Sequence, residues 1–178
     1  MYWSEDDDLG VECVKRAFSK NRFLELKRYM HFCDNEARPN DEVDKYYKIR
    51  PLLKLCQTNF AKFSFLHERF SIDEKMVQYF GRNKLKQYIK GKPIRFGYKI
   101  WALCFAETGY CYAFEPYQGR SDKKETSMGF KVIEQLSVSL PPGSELYFDS
   151  FFTSLPVLKY LNEKKIQDQH VQKLSYFI

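Results

Sequence analysis

A chain of 178 residues with net charge +6 and 44% hydrophobic side chains can bury one sizeable core, so one domain with a helical appendage is expected. No apolar run approaches the ~20 residues that a membrane-spanning helix needs, and no signal peptide opens the chain, which excludes a membrane-embedded reading. The five cysteines (Cys13, Cys33, Cys56, Cys104 and Cys111) are odd in number and scattered without a C-x-x-C pair, which predicts reduced thiols and excludes a disulfide framework or a zinc site.

In chain order, residues 1–8 are acidic and polar (Glu5, Asp6, Asp7, Asp8) and predict an irregular start. A helix is expected from about Val11 to Phe18. Ser19 is placed to cap a second helix, in which Phe23, Leu26 and Met30 recur at helical spacing. Polar Asp34–Asp44, around Pro39, predicts a loop. Tyr46–Phe60 returns to a helical pattern, with Pro51 near its first turn and Leu52, Leu55, Cys56 and Phe60 following. This first third carries no catalytic pattern, and its expected work is to pack on, or lead into, a sheet. His31, His67 and His170 form no ligand set with the cysteines and read as ordinary.

From Arg69 the period changes to that of strands. Phe70, Ile72 and Met76 fall on one face of the first strand, Ser71, Asp73 and Lys75 on the other, and Gly81 breaks it. Aspartate is a poor strand former, so Asp73 in mid-strand asks for a reason. It is either part of an edge strand whose polar face meets water or a carboxylate presented from a rigid sheet to hold a metal. Asp73 alone leaves both readings open.

Phe96–Ala106 is rich in β-formers, Glu107-Thr108-Gly109 is a turn signal, and Tyr110–Tyr117 returns as its partner, which predicts a hairpin. Gly119–Glu125 predicts a loop. Ser127–Leu140 carries a helical apolar set (Phe130, Ile133, Leu136) that Pro141-Pro142-Gly143 stops. Glu145–Phe148 predicts a short strand ending at Asp149. Ser154, with Pro156 in the first turn, then starts a helix that carries Val157, Leu158 and Leu161 toward the core.

Strand, hairpin, helix, strand, helix is the opening of a ribonuclease-H-like sheet: three antiparallel strands, a crossover helix and a parallel strand beside the first. The predicted class is α/β, with a helical N-terminal region followed by an incomplete ribonuclease-H-like mixed sheet and flanking helices. Such a topology brings Asp73 and Asp149 together. For Asp149 alone a turn-capping carboxylate is the simpler reading; the joint placement sets a shared metal site beside it. The segment Lys75–Lys99 adds Lys75, Arg82, Lys84, Lys86, Lys90, Lys92, Arg95 and Lys99 with no acidic residue, interleaved with Tyr79, Tyr88 and Phe96. A charge run is usually a solvated face, but next to a candidate metal carboxylate it favours a phosphate-backbone partner. No Gly-rich phosphate loop, Ser/His/Asp order or Cys/His pair competes.

S-I-D-E-K-M-V-Q-Y-F-G-R, G-K-P-I-R-F-G-Y-K-I-W, T-G-Y with E-P-Y-Q-G, and F-D-S-F-F-T-S-L-P-V-L-K-Y-L strongly resemble the piggyBac transposases and their domesticated derivatives. Y-W-S and S-K-N-R-F-L-E-L-K-R-Y-M-H-F-C-D-N resemble that family's N-terminal helical region, so the likeness covers about Tyr2 to Ile166. It implies a DDE/DDD-type core that holds Mg²⁺ or Mn²⁺ on three aspartates, with Asp73 matching the first and Asp149 the second. Glu74, on the opposite face of its strand, is not counted as a ligand.

The implied partner is DNA, at transposon ends and TTAA targets, in the nucleus; a homodimer is left open. The residues expected at the DNA are Arg82, Lys84, Lys86, Lys92, Arg95 and Lys99. The implied division is a helical region over 1–66, a partial core over 67–166 and a divergent tail over 167–178. Gln167 onward departs from the family, and Asp168 comes too early to serve as the third aspartate. A weak or incomplete metal site is therefore expected, in a core not competent for transposition by itself. The competing expectations are a non-catalytic DNA- or protein-binding module kept for regulation, and a product without function.

Overall fold

The computed structural model describes residues 2–6, 8–64, 68–119 and 127–170. They form two compact units, Met1–Glu42 with Tyr47–Leu52, and Val43–Tyr46 with the chain from Leu53 onward. The units thus divide the chain inside the helical region expected over 1–66.

The first unit holds helices α1 (Glu12–Ala17) and α2 (Lys20–Tyr29) and a 3₁₀ turn at Tyr47–Ile49. Ser19 caps α2 as expected: its Oγ accepts from the Arg22 N–H. Neither helix buries a residue. An aromatic knot gathers them instead, in which Trp3 meets the rings of Phe18 and Phe23 and its Nε1–H donates to the Phe18 carbonyl at 2.8 Å.

The second unit is entered by helix α3 (Arg50–Lys62), with Pro51 in its first turn as expected. It continues as β1 (Arg69–Gln78), β2 (Gln87–Tyr88), β3 (Phe96–Phe105), β4 (Cys111–Pro116), α4 (Met128–Ser137), β5 (Glu145–Phe148), α5 (Leu155–Glu163) and β6 (Gln167–His170). The sheet runs β2-β3-β1-β5-β6, with β4 also paired to β3. β1 is antiparallel to β3, from Phe70 opposite Phe105 to Gln78 opposite Gly97, and parallel to β5, with Ser71 beside Tyr147. The hairpin turn uses Gly109 at φ 69°, the left-handed conformation that the turn signal anticipates. The Gly119–Glu125 loop, beyond its first residue, lies outside the described residues, as does His67.

Alternation along the strands builds two apolar layers. On one face Phe70, Ile72, Trp101, Leu103, Phe105, Leu146 and Phe148 pack with Ile133 and Leu136 of α4 and Val157 and Leu161 of α5. On the other, Ala102, Cys104 and Phe114 meet Leu53, Cys56 and Phe60 of α3. The Tyr110 hydroxyl donates to the Phe60 carbonyl at 3.0 Å, tying α3 to the hairpin. All five thiols are free, as expected; Cys104 and Cys111 face each other across β3 and β4.

Two local features were not anticipated by the sequence reading. Gln167–His170, expected as the start of a divergent tail, forms β6 parallel to β5, from Gln167 beside Glu145 to His170 beside Phe148. Neither Gln nor Asp favours strands; the strand forms because β5 offers an open edge and buried Ile166 anchors the turn before it. Ser154 does precede α5, yet its Oγ makes no cap bond and is buried without a hydrogen-bond partner.

Gly97 pins the far end of the β1–β3 ladder, because a Cβ built there would lie 2.0 Å from the Val77 carbonyl oxygen. Gly97→Ala must therefore part the strands, and we expect a loss of about 2 kcal/mol or more. Phe148→Ala should cost about 3–5 kcal/mol through the cavity it leaves. Denaturant titration of both variants against the parent checks this, and an unchanged midpoint for Gly97→Ala would contradict the close approach.

Candidate active site

Asp73 sits in the middle of β1, opposite Ala102, and Glu74 follows opposite Trp101, so their backbones direct them to opposite faces as the alternation requires. The two carboxylates nevertheless share one cation. Lys92, in the loop before β3, places its Nζ 3.3 Å from Asp73 Oδ2 and 3.4 Å from Glu74 Oε1. Lys92 also donates to the Glu74 carbonyl at 3.4 Å, while Asp73 Oδ1 accepts from the Glu74 N–H at 2.7 Å.

Lys99, on β3, is the second cation. Its Nζ lies 3.9 Å from Glu74 Oε2 and 3.7 Å above the Trp101 ring. Phe151 stacks on Trp101 with centroids 5.5 Å apart, so Lys99 is held against an aromatic wall.

Asp149 directly follows β5. Its Oδ1 accepts from the Phe151 N–H at 3.0 Å, so the turn-capping role is real. Glu74, then Asp73 and, least, Asp149 act electrostatically on the Lys99 ammonium against the effect of its burial. The fold thus joins Asp73 and Glu74 through Lys92, and places Asp149 directly after β5, the strand parallel to β1.

The charges of the cluster are strained by burial. Burial, followed by the Asp73 charge, raises the Glu74 carboxyl above its ordinary 4.5 despite the opposing Lys99 and Lys92. Burial lowers the Lys99 ammonium against the pull of the carboxylates. For Lys92 burial works the same way, but Asp73 and Glu74 outweigh it and hold the proton more firmly than usual.

The six expected DNA-binding residues divide. Arg82, Lys84 and Lys86, with Asn83, line an open surface cleft, and Arg95 is exposed nearby in the chain. Lys86 donates to the Gly81 carbonyl at 3.0 Å and lies over the Phe96 ring, which pairs with Tyr88 at 4.8 Å. Lys92 and Lys99 turn to the carboxylates instead. For Lys99 the sequence carried a cue, since it alternates in phase with Trp101, Leu103 and Phe105, all buried. Lys92 reaches Asp73 from a loop, and no periodicity announces it.

A set of hard carboxylate oxygens already gathered about a cation fits Mg²⁺ or Mn²⁺. Among the described residues no three acidic, His or Cys side chains are grouped closely enough to grip an ion as they stand, so Asp73, Asp149 and Glu74 would have to draw together on it.

Known proteins share this arrangement of chain. The transposase IS4 family model matches residues 1–168. Human PiggyBac transposable element-derived protein 3 is 39% identical over 171 residues, covering 91% of this chain and 28% of that protein. Human PiggyBac transposable element-derived protein 2 is 34% identical over 174 residues, covering 94% of this chain and 29% of that protein. The chain therefore spans less than a third of the length of these curated relatives. A solved piggyBac transposase synaptic complex with hairpin DNA superposes with a TM-score of 0.80 over 96% of this chain and 37% of that one, at 24% identity, so it shares the fold.

The raised Glu74 makes a pH test. A carboxyl whose folded pKa lies above its unfolded value stabilises fully below about 4.5, and that contribution is lost as pH rises through the folded value. Glu74→Gln removes the charge that burial and Asp73 disfavour. Its melting temperature should therefore gain on the parent's as pH increases from 4.5 to 7.5. A difference that stays constant over that interval would show that Glu74 titrates as it does in the unfolded chain.

Proposed function

This chain belongs to the transposase IS4 family, in its piggyBac branch, and we propose that its second unit is a DNA-processing core in which Asp73 and Asp149 hold a divalent cation. The observation that supports the reading is the placement of Asp73 in the middle of β1 and of Asp149 directly after β5, the strand that runs parallel beside it. A bound Mg²⁺ or Mn²⁺ supplies Lewis acidity at phosphoryl oxygens and an activated hydroxyl nucleophile. Asp73, on the central strand, fixes one side of the site rigidly. Asp149 would bring the other side from the end of β5, beside the Phe151–Trp101 stack.

Arg82, Lys84, Lys86 and Arg95 would follow the phosphate backbone, with the Tyr88–Phe96 ring pair beside them as an apolar neighbour for bases. Cleavage at transposon ends and joining at TTAA targets belong to the longer proteins that contain such a core, and a DNA partner makes the nucleus the expected compartment. One observation favours a second reading, a DNA-binding module without cleavage: Lys92 and Lys99 already neutralise the carboxylates.

Two measurements test this. Mn²⁺ should raise the melting temperature by binding the folded state, with stabilisation of about 1.4 kcal/mol at a tenfold excess over Kd. Asp73→Asn and Asp149→Asn should each abolish that response, and a shift retained in both would place the ion elsewhere. Duplex DNA binding should fall steeply with salt, each phosphate contact adding about −0.9 to the log–log slope. Replacing Arg82, Lys84 and Arg95 together by Gln should flatten the slope. A slope equal to the parent's would leave the run a solvated face.

A further inference from the structure

Lys92 occupies the coordination space of Asp73. Of the two carboxylate oxygens, Oδ1 is committed to the Glu74 N–H at 2.7 Å and Oδ2 faces the Lys92 ammonium at 3.3 Å. A divalent cation would need Oδ2 at about 2.0–2.1 Å if it were Mg²⁺, where an ammonium on the same oxygen would repel it. Lys92 cannot simply lean on Glu74 instead, since Oε1 and the backbone carbonyl of Glu74 belong to the same small nest and Lys99 already stands on Oε2. Neutralisation by Lys92 and neutralisation by a metal are therefore alternatives.

Lys92 also has somewhere to go. Its side chain is 33% exposed, against 14% for Asp73, so its head sits at the mouth of the cluster and its partner sits inside. It is carried by the short segment between β2 and β3, where Gly91 adopts φ 94° and no Cβ would meet a neighbour. Exposed Arg82, Lys84 and Arg95 lie in the chain segments on either side. A polyanion drawn to these residues would offer Lys92 phosphate oxygens in exchange for carboxylate ones.

We propose that Lys92 is a positioning residue that acts as an exchangeable internal counter-cation: it pairs with the Asp73 and Glu74 carboxylates in the resting protein and leaves them to a divalent cation when nucleic-acid phosphates draw it away. The inference rests on the reading of Asp73 as a metal ligand. Its consequence is thermodynamic coupling. Phosphate binding that removes Lys92 strengthens metal binding, and metal binding strengthens phosphate binding by the same factor.

The test is a titration of Mn²⁺ into the 178-residue chain, following free Mn²⁺ by electron paramagnetic resonance, with and without a short duplex. Without DNA, Lys92→Met should bind Mn²⁺ about fivefold more tightly than the parent, the factor corresponding to loss of a partly screened ion pair. Lys92→Arg should keep the parent's affinity, and Lys159→Met, on the exposed side of α5, should leave it unchanged. Adding the duplex should tighten Mn²⁺ binding by the parent and not by Lys92→Met. If Lys92→Met binds Mn²⁺ no more tightly than the parent while Asp73→Asn abolishes binding, Lys92 is not a competitor and the inference is overturned with the metal site intact. If Asp73→Asn binds as the parent does, the metal-site reading fails and takes the inference with it.

Discussion

The ladder between β1 and β3 is the constraint on which the other features depend. Side chains alternate along a strand with a period of two, so a slip of one residue would turn Asp73 toward the Trp101–Phe148 layer and send Ile72 out of it. Both ends resist such a slip. At one end the rings of Phe70 and Phe105 meet at 5.2 Å, and at the other the Gly97 backbone lies so near Val77 that no side chain fits between them. β5 takes its place from the same strand, through Ser71 beside Tyr147, and Asp149 emerges where β5 stops. Strand pairing thus fixes where Asp73 stands and where the chain delivers Asp149.

Placing two acids side by side in a central strand is costly in itself. Burial first, and then the charge of Asp73, raise the Glu74 carboxyl above its ordinary value. Two lysines from one neighbouring stretch of chain offset that cost, one at the rim and one against an aromatic wall. Lys99 is the more deeply committed: a cation over a desolvated indole gains up to about 2 kcal/mol that an ammonium in water does not have. The rim lysine has no such hold. The cluster is therefore asymmetric, with a fixed positive charge on the apolar side and a removable one facing solvent.

Much of this was legible in the residues. Ser19 announced its helix through cap chemistry and accepts the expected backbone N–H, whereas Ser127 caps α4 without having been singled out. Alternation placed Phe70, Ile72 and Met76 inside, and Asp73 stood out because aspartate does not belong in mid-strand. What stayed hidden depends on partners far away in the chain. β6 is made of residues that do not favour strands and exists because β5 presents unpaired backbone groups. The basic run looked uniform, although Lys99 lies on β3 against Trp101 while Arg82 lies exposed in the connection between β1 and β2. Lys92 meets Asp73 across 19 residues through a loop, where neither period nor propensity carries information.

The stack of Phe151 on Trp101 has an optical consequence. The chain contains only two tryptophans, and the other, Trp3, belongs to the first unit. The indole of Trp101 stacks on Phe151 and carries the Lys99 ammonium 3.7 Å from its ring centre, so its excited state samples the local electric field beside the Lys99–Glu74 pair. Any redistribution of charge there must move its emission or its quantum yield. With Trp3 replaced by phenylalanine, the protein would carry a single tryptophan, placed beside the Lys99–Glu74 pair.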